Sequence, residues 1–358
     1  MKKIYFILIF VVVGIVACQK FNFRLAGGGA DAVTPTISTI SYSSCCYQLS
    51  AMPIYSKMAT RAAQLQINMG DNIYGDFLAI SPGTASYISA QYNTLKNNAD
   101  FKRLKAAVPM IATWDDHDYG FNDAGASGSP NRNDARRLFC DFWGEPATSL
   151  RRTRTDGIYT SYYYGDDAHK IQVILLDNRW NRSKYNSGNT LTGYTISTDP
   201  TKTMLGTAQW NWLKAELMQP AKIRFIVSGV QFCAQKSTNE GWSLFPLEQE
   251  KMFQTIRDAR AEGVVFLSGD VHYSDINMRT PTNLYPIYDF TSSSVNETEG
   301  SPKASSYRIA GPFGKPNYSV LNINWNAAPV TITTTTYDAT DAVKIQKTIS
   351  LDELKFAL

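Results

Sequence analysis

Excess charge of one sign is missing from this chain: 35 Lys and Arg stand against 31 Asp and Glu, a net charge of +4 over 358 residues. So even a balance gives no support to a nucleic-acid-binding face, which needs clustered basic residues. No internal repeat is visible, which sets repeat architectures aside. Histidine is scarce, with three residues, and cysteine nearly so, with five. The position of each is therefore informative. The apolar run from Ile4 to Val16 is too short to span a bilayer comfortably. What the chain does have is 44% apolar and 12% aromatic residues, enough for a large core and well outside the composition of disorder.

The first residues read as a targeting segment. Lys2 and Lys3 precede the apolar run, which ends Ile15-Val16-Ala17-Cys18. A small residue before the cut fits a secretory signal peptide. Cysteine directly after it resembles the lipobox of bacterial lipoproteins, whose thiol carries the lipid; an ordinary signal peptide with an incidental cysteine is the alternative. The expected layout is a signal over 1–17, a flexible tether over 18–35 containing Gly27-Gly28-Gly29, and one domain over 36–358 that includes a C-terminal β segment. The protein is then exported to the bacterial cell envelope, as a periplasmic or outer-membrane lipoprotein held to the membrane through Cys18. Export implies an oxidising compartment. Cys45 and Cys46 either join Cys140 and Cys233 in a disulfide framework or hold a thiolate with another task, since neighbouring cysteines rarely bridge each other.

Periodicity predicts strands at Thr36–Tyr42, Ala107–Thr113, Lys222–Val230, Val264–Ser268, Tyr285–Ser292 and Tyr318–Tyr337. Gly157–Tyr164 and Lys170–Leu176 bracket the turn Gly165-Asp166-Asp167 as a hairpin. Helices are expected at Met52–Gln66, Ala85–Leu104, Asp134–Gly144, Ala208–Leu217 (with Trp212, Leu213 and Leu217 buried) and Pro246–Glu262. His169 reads as a surface residue beside the hairpin turn. Strand, polar loop and helix alternate, and ligands in such layered folds bind past the C-terminal ends of strands.

Four of those strand ends carry unusual chemistry: Cys45; Asp71 with Asn72, Tyr74 and Asp76; Asp115 to Asp118 with Asn122; and Asp270 with His272. Any one of them is explicable as a turn, a solvated loop or a core histidine. Together they gather carboxylates and two of the three histidines, His117 and His272, at predicted strand ends. Metal sites need such deprotonated donors brought in from separate segments.

Taken as a set, Gly70-Asp71-Asn72-Ile73-Tyr74-Gly75-Asp76, Trp114-Asp115-Asp116-His117-Asp118-Tyr119-Gly120, Leu176-Asp177-Asn178-Arg179 and Leu267-Ser268-Gly269-Asp270-Val271-His272 resemble the alkaline phosphatase D (PhoD-like) branch of the calcineurin-like metallophosphoesterases. Ser44-Cys45 stands where that branch has Gly-Ser-Cys. The resemblance implies an α+β, four-layer α-β-β-α fold, a β-sandwich flanked by helices with metals at one edge. It implies hydrolysis of phosphomonoesters or phosphodiesters by metal-activated hydroxide attacking phosphorus in line. Better-known members hold Fe(III) through cysteine and tyrosine with Ca2+ nearby; another divalent pair is the alternative. On matching positions Cys45, Asp71 and Tyr74 form the iron shell, with Asp71 bridging, and Asp116, Asn122, Asp270 and His272 complete the cluster. His117 matches the acid that protonates the leaving group. Asn72 and Arg179 are further catalytic candidates, Arg179 either steadying a phosphate oxygen or pairing with a buried Asp. Departures are Ser44, where glycine is usual, and the second cysteine, Cys46, which puts the choice of thiolate ligand in doubt. The partner expected is a phosphoester substrate, with the protein a monomer. The competing function is a non-enzymatic surface lipoprotein that binds a phosphorylated or glycan ligand through a calcium site.

Overall fold

Residues 35–77, 82–188, 193–235 and 239–357 are described by the computed structural model. The predicted signal and all but the last residue of the tether lie outside them. The strands, in chain order, are β1 (Thr39–Ser43), β2 (Leu65–Met69), β3 (Met110–Thr113), β4 (Thr160–Tyr164), β5 (Ile171–Leu175), β6 (Asn186–Ser187), β7 (Tyr194–Thr195), β8 (Ile223–Ser228), β9 (Val264–Ser268), β10 (Ser274–Arg279), β11 (Ile287–Thr291), β12 (Arg308–Phe313), β13 (Asn317–Asn324), β14 (Thr331–Asp338) and β15 (Val343–Ser350). The α-helices are α1 (Pro53–Met58), α2 (Ala85–Asn97), α3 (Ala99–Ala107), α4 (Asp116–Tyr119), α5 (Arg132–Trp143), α6 (Leu150–Thr153), α7 (Gly206–Leu217) and α8 (Pro246–Asp258).

Two mixed sheets, flanked by helices, carry the site. One runs β15-β14-β13-β1-β2-β3 and the other β12-β10-β11-β9-β8-β5-β4. Within them β1, β2 and β3 are parallel neighbours, as are β5, β8, β9 and β11. Parallel strands covered on both faces read as unbroken apolar runs, and β5 and β9 are buried at every position. One core joins Ile67 and Ile111 of the first sheet with Phe225 and Val265 of the second and Leu213 and Phe253 of α7 and α8. A second cluster sets Ala112 and Val320 against α1, α2, α3 and α5. Ile111 and Ala112 enter different cores because successive strand residues face opposite sides.

Several boundaries differ from the periodic reading. The helix expected to Gln66 stops at Met58, because Ala62 takes φ +51° and Leu65 is already in β2. The helix expected over Ala85–Leu104 is two, since Asn98 at ψ 132° leaves the helical region and its side chain accepts from the amides of Asp100 and Phe101 as the cap of α3. Tyr318–Tyr337 is two antiparallel strands. On α7 the indole that enters the core is Trp210, with Trp212 half-buried. The predicted hairpin is present as β4–β5, and His169 sits half-buried in its turn, 2.8 Å from Asp166.

Arg151 ties β3 to the loops beneath it. The buried guanidinium donates to Ala112 O (2.7 Å), Ile158 O (2.8 Å) and Glu145 Oε1 (2.7 Å). Burial pushes the Glu145 carboxyl up, but Arg151 and the Ser149 hydroxyl outweigh it and hold the group below its ordinary 4.5. A carboxyl depressed by folding contributes stability above its unfolded pKa and loses it as pH falls through the folded value. Glu145→Gln is therefore expected to cost about 1–3 kcal/mol at neutral pH, with the difference from wild type shrinking below pH 4.5. Urea unfolding of both proteins across that range checks it; a constant difference would remove the charge from the account.

Candidate metal centre

The C-terminal ends of parallel strands from both sheets meet at one edge. Cys45 follows β1, Asp71 follows β2, Asp115 to His117 follow β3, Arg179 follows β5, Asp270 and His272 follow β9, and Ser293 follows β11. Close approach there needs glycine: a Cβ on Gly70, at φ +110°, would sit 2.5 Å from Asp115 Cβ, and one on Gly229 would sit 2.3 Å from Asp115 Oδ1.

Four groups of donor atoms each lie within 4.8 Å of one another: Cys45, Asp71 and His272; Asp71, Asp116 and His117; Asp115, Asp116 and Asp270; and Asp116, Asp123 and Glu240. Cys45 Sγ is 3.4 Å from Asp71 Oδ2 and 3.0 Å from Ser293 Oγ, and Tyr74 OH is 3.1 Å from His272 Nε2. The next residue, Cys46, turns into the second core with its Sγ 3.5 Å from Met52 Sδ, and burial pushes its thiol up to about 12. All four described cysteines are free, which closes the disulfide alternative. Backbone strain marks the same place. Of nine non-glycine residues at positive φ among the described residues, five are Cys45, Asp71, Asp123, Asp270 and His272. Each such conformation costs about 1–3 kcal/mol and persists only where the surroundings over-determine it.

Electrostatics show what these donors want. Burial, then the neighbouring Cys45 and Asp116, drives the Asp71 carboxyl far above its usual range. Burial raises the Cys45 thiol and the Tyr74 phenol as well, and lowers His272. Asp123 goes up to about 7 through burial and the charges of Glu240 and Asp116. Asp71 Oδ1 is buried without a hydrogen-bond partner. A bound cation reverses this logic by stabilising every ionised ligand at once. A thiol, a phenol, an imidazole and several carboxylates are a donor set that fits metal, and the orphaned oxygen at its centre fits a ligand atom.

The other candidates divide. His117 Nδ1 lies 2.7 Å from Asp76 Oδ1, and Asp76 Oδ2 accepts from the amide of Asn122 at 2.7 Å. Burial opposes charge on His117, but Asp116 and Asp76 outweigh it and carry the imidazole up to about 10. Its ring lies 4.1 Å from that of Tyr74, centroid to centroid. Asn72 is turned away to Asp118 and the carbonyl of Thr113, at 3.0–3.2 Å. Arg179 is wholly buried, with Nε on Asp115 Oδ1 at 2.5 Å and Nη2 2.7 Å from Glu240 Oε2. Of its two readings, pairing with a buried carboxylate is the one built. Asn122 is exposed and lines the cleft. Asp76 was visible in the acidic loop without a role. Asp123 and Glu240 escaped the sequence reading: Asp123 adjoins Asn122, a hint in hindsight, and Glu240 stands in no motif.

Above the donors opens a cleft of about 570 Å³, lined by Asp71, Asp116, His117, Asp270 and His272 and, further out, Glu299 and Lys303. Carboxylates outnumber Lys303 in this lining, so an anion entering the cleft would be repelled unless cations lay among them.

Two mixed sheets flanked by helices, with imidazole, thiol and carboxylate donors at shared strand ends, make this a metallophosphoesterase fold. A family model described as "PhoD-like phosphatase" matches residues 14–312, and the chain belongs to that family. Alkaline phosphatase D of Bacillus subtilis (strain 168) is 24% identical over 292 residues, which cover 72% of this chain and 48% of that protein. The chain thus spans about half the length of this curated relative. A solved structure described as "Structure of PhoD" superposes with a TM-score of 0.68 at 18% identity, covering 90% of this chain and 73% of that one. GAP50, described as the anchor in the inner membrane complex of Plasmodium, shares the fold with a TM-score of 0.52 at 12% identity, over 87% of this chain and 88% of its own.

Proposed function

We propose that the protein hydrolyses phosphoesters at this cleft with metal ions held by its strand-end donors. The observation that carries the reading is His117, an imidazole held by Asp76 at 2.7 Å on the wall of a metal-fitting cleft. A site that only bound calcium would have no use for a positioned acid. The fold by itself settles nothing, since it serves many tasks.

Donor chemistry suggests the division of labour. Cys45, Tyr74, Asp71 and His272 would suit a ferric ion, and Asp116, Asn122 and Asp270 an oxygen-seeking cation such as Ca2+; Asp71 belongs to two of the donor groups and would be available to either. Bound there, the metals supply charge for the phosphoryl oxygens and acidify water. The chain's own contribution is orientation. Asp76 fixes Nδ1 of His117 and leaves Nε2 free to give its proton to the departing oxygen. A cation among the carboxylates would cancel the contribution of Asp116 to the His117 pKa and leave that of Asp76. Arg179 and Asp115 hold the start of α4, which carries Asp116 and His117.

The iron assignment has a visible consequence, because thiolate and phenolate on Fe(III) give a charge-transfer band. Cys45→Ser is expected to remove the thiolate contribution and Cys46→Ser to leave the spectrum unchanged. Absorption spectra and metal analysis of aerobically purified variants check this; a spectrum that depends on Cys46 would make it the ligand. Release of phosphate or alcohol from a panel of monoesters and diesters tests the activity, and inactivity of metal-replete protein on all of them would return the reading to a binding module.

A further inference from the structure

Beside the cleft lies a smaller pocket of about 250 Å³ that shares Asn122, Asp123 and Tyr194 with it. We propose that this pocket receives the leaving group, and that it selects one built as a planar ring with an anionic substituent. The inference rests on the phosphoesterase reading and names the substrate class for it.

Position comes first. Asp76 holds His117 Nδ1 with one oxygen and the amide of Asn122 with the other, both at 2.7 Å. The shared residues Asn122, Asp123 and Tyr194 open the pocket onto the same cleft that His117 lines. In the reaction water oxygen bonds to phosphorus and gives one proton to solvent, the bond between phosphorus and the departing oxygen breaks, and the proton from His117 ends on the released alcohol, His117 then regaining a proton from solvent. The body of that alcohol needs a place off this cleft.

Shape and chemistry specify what fits. Tyr185 and Tyr194 stand in the wall with ring centroids 5.0 Å apart, and the Arg182 guanidinium lies 4.0 Å from the Tyr185 ring. Phe121 adds a third ring to the lining. Flat rings favour such surroundings. Small residues complete the pocket by necessity, because a Cβ on Gly125 would meet Arg182 O at 2.6 Å and one on Gly128 would meet Ala124 Cβ at 2.9 Å. Besides Arg182, the polar side chains of the lining are Asn122, Asp123, Ser127 and Lys184, and the Asp123 carboxylate already accepts from the Tyr194 hydroxyl at 2.6 Å. Lys184 lines the pocket, is exposed, and among the described residues has no salt bridge or side-chain hydrogen bond. Arg182 is already matched by Glu240, with Nη2 3.2 Å from Oε1. The cleft is acidic and takes its anion through cations; the side pocket presents an uncommitted ammonium and takes its anion directly.

Two esters of nearly equal leaving-group acidity isolate the effect: meta-tolyl phosphate and meta-(carboxymethyl)phenyl phosphate. Wild type is expected to favour the carboxymethyl ester by roughly fivefold in kcat/KM at low salt, the scale of one exposed charge pair. Lys184→Ala should abolish the preference, and Ser127→Trp, which fills the pocket from its exposed rim, should lower both aryl esters relative to glycerol phosphate. Calorimetric titration with the free phenol, meta-hydroxyphenylacetate, reads the pocket without turnover: it should bind wild type more tightly than Lys184→Ala. Hydrolysis of both esters at equal rates, with phenol binding unaffected by Lys184→Ala, overturns the pocket assignment and leaves the phosphoesterase reading standing. Lys184-dependent binding of the phenol by a protein that hydrolyses no ester overturns the phosphoesterase reading and leaves the pocket.

Discussion

Asp71→Asn is expected to lose metal and activity together, with the rate down by at least about 10²-fold on every ester. Even indirect partners of metal ligands are worth about 10–100-fold, and Asp71 belongs to two of the donor groups, one with Cys45 and His272 and one with Asp116 and His117. The substitution keeps the shape and removes the charge. In metal-free protein that charge is a burden, since burial and its neighbours already push the carboxyl far above its usual range. Metal-free Asp71→Asn should consequently be no less stable than metal-free wild type, which separates lost metal from lost fold. Elemental analysis, turnover and thermal unfolding on the same preparations check the three parts. A variant with full metal content would show that Asp71 is not the shared donor.

His117→Ala is expected to separate by substrate. Positioned general acid catalysis is worth about 10²–10⁴-fold, and that benefit applies where the leaving oxygen needs a proton. An alkyl phosphate should lose nearly all of it, whereas a nitrophenyl phosphate, whose leaving group departs unprotonated, should lose little. Asp76→Asn should show the same selectivity in weaker form, because it keeps a partner for Nδ1 but removes the charge that favours imidazolium. Metal content should stay near wild type in both. Equal losses on the two esters together with missing metal would turn His117 from an acid into a ligand.

Much of this centre was legible because its donors obey one rule: they sit past the C-terminal ends of strands. Asp71, Asp116, Asp270 and His272 each follow a short, largely apolar strand and Cys45 an alternating one; Cys45 parts from Cys46 beyond the end of β1 at Ser43, through a left-handed turn at φ +61°. Residues supplied by loops gave no such signal. Glu240 reaches the site from the loop between β8 and α8, guided by Arg179 and Arg182 rather than by periodicity. Asn72 and Arg179 carry the right chemistry in the right segments, yet buried carboxylates, Asp118 and Asp115, compete for their donors, a contest decided only in three dimensions. Among the strands, β10 was missed because its inward residues Asp275 and Asn277 hold a polar network with Gln231, Arg308 and Ser305 instead of an apolar face. β12 contains Gly311-Pro312, which reads as a break. Helix α1 was overextended because apolar spacing continues through a residue whose backbone turns left-handed.

The sheet order also dictates when the centre can exist. Strand β1, which delivers Cys45, pairs with β13 as well as with β2, and Cys45 Sγ meets Ser293 Oγ across 248 positions of chain. Contacts so distant in sequence form slowly and cannot form before both partners have been synthesised. A growing chain therefore displays its thiol and first carboxylates long before His272 and Ser293 arrive to enclose them. Until then the candidate ligands are loose side chains with no selectivity of their own, and any choice of metal would belong to the finished molecule, made in whatever compartment the last third of the chain folds.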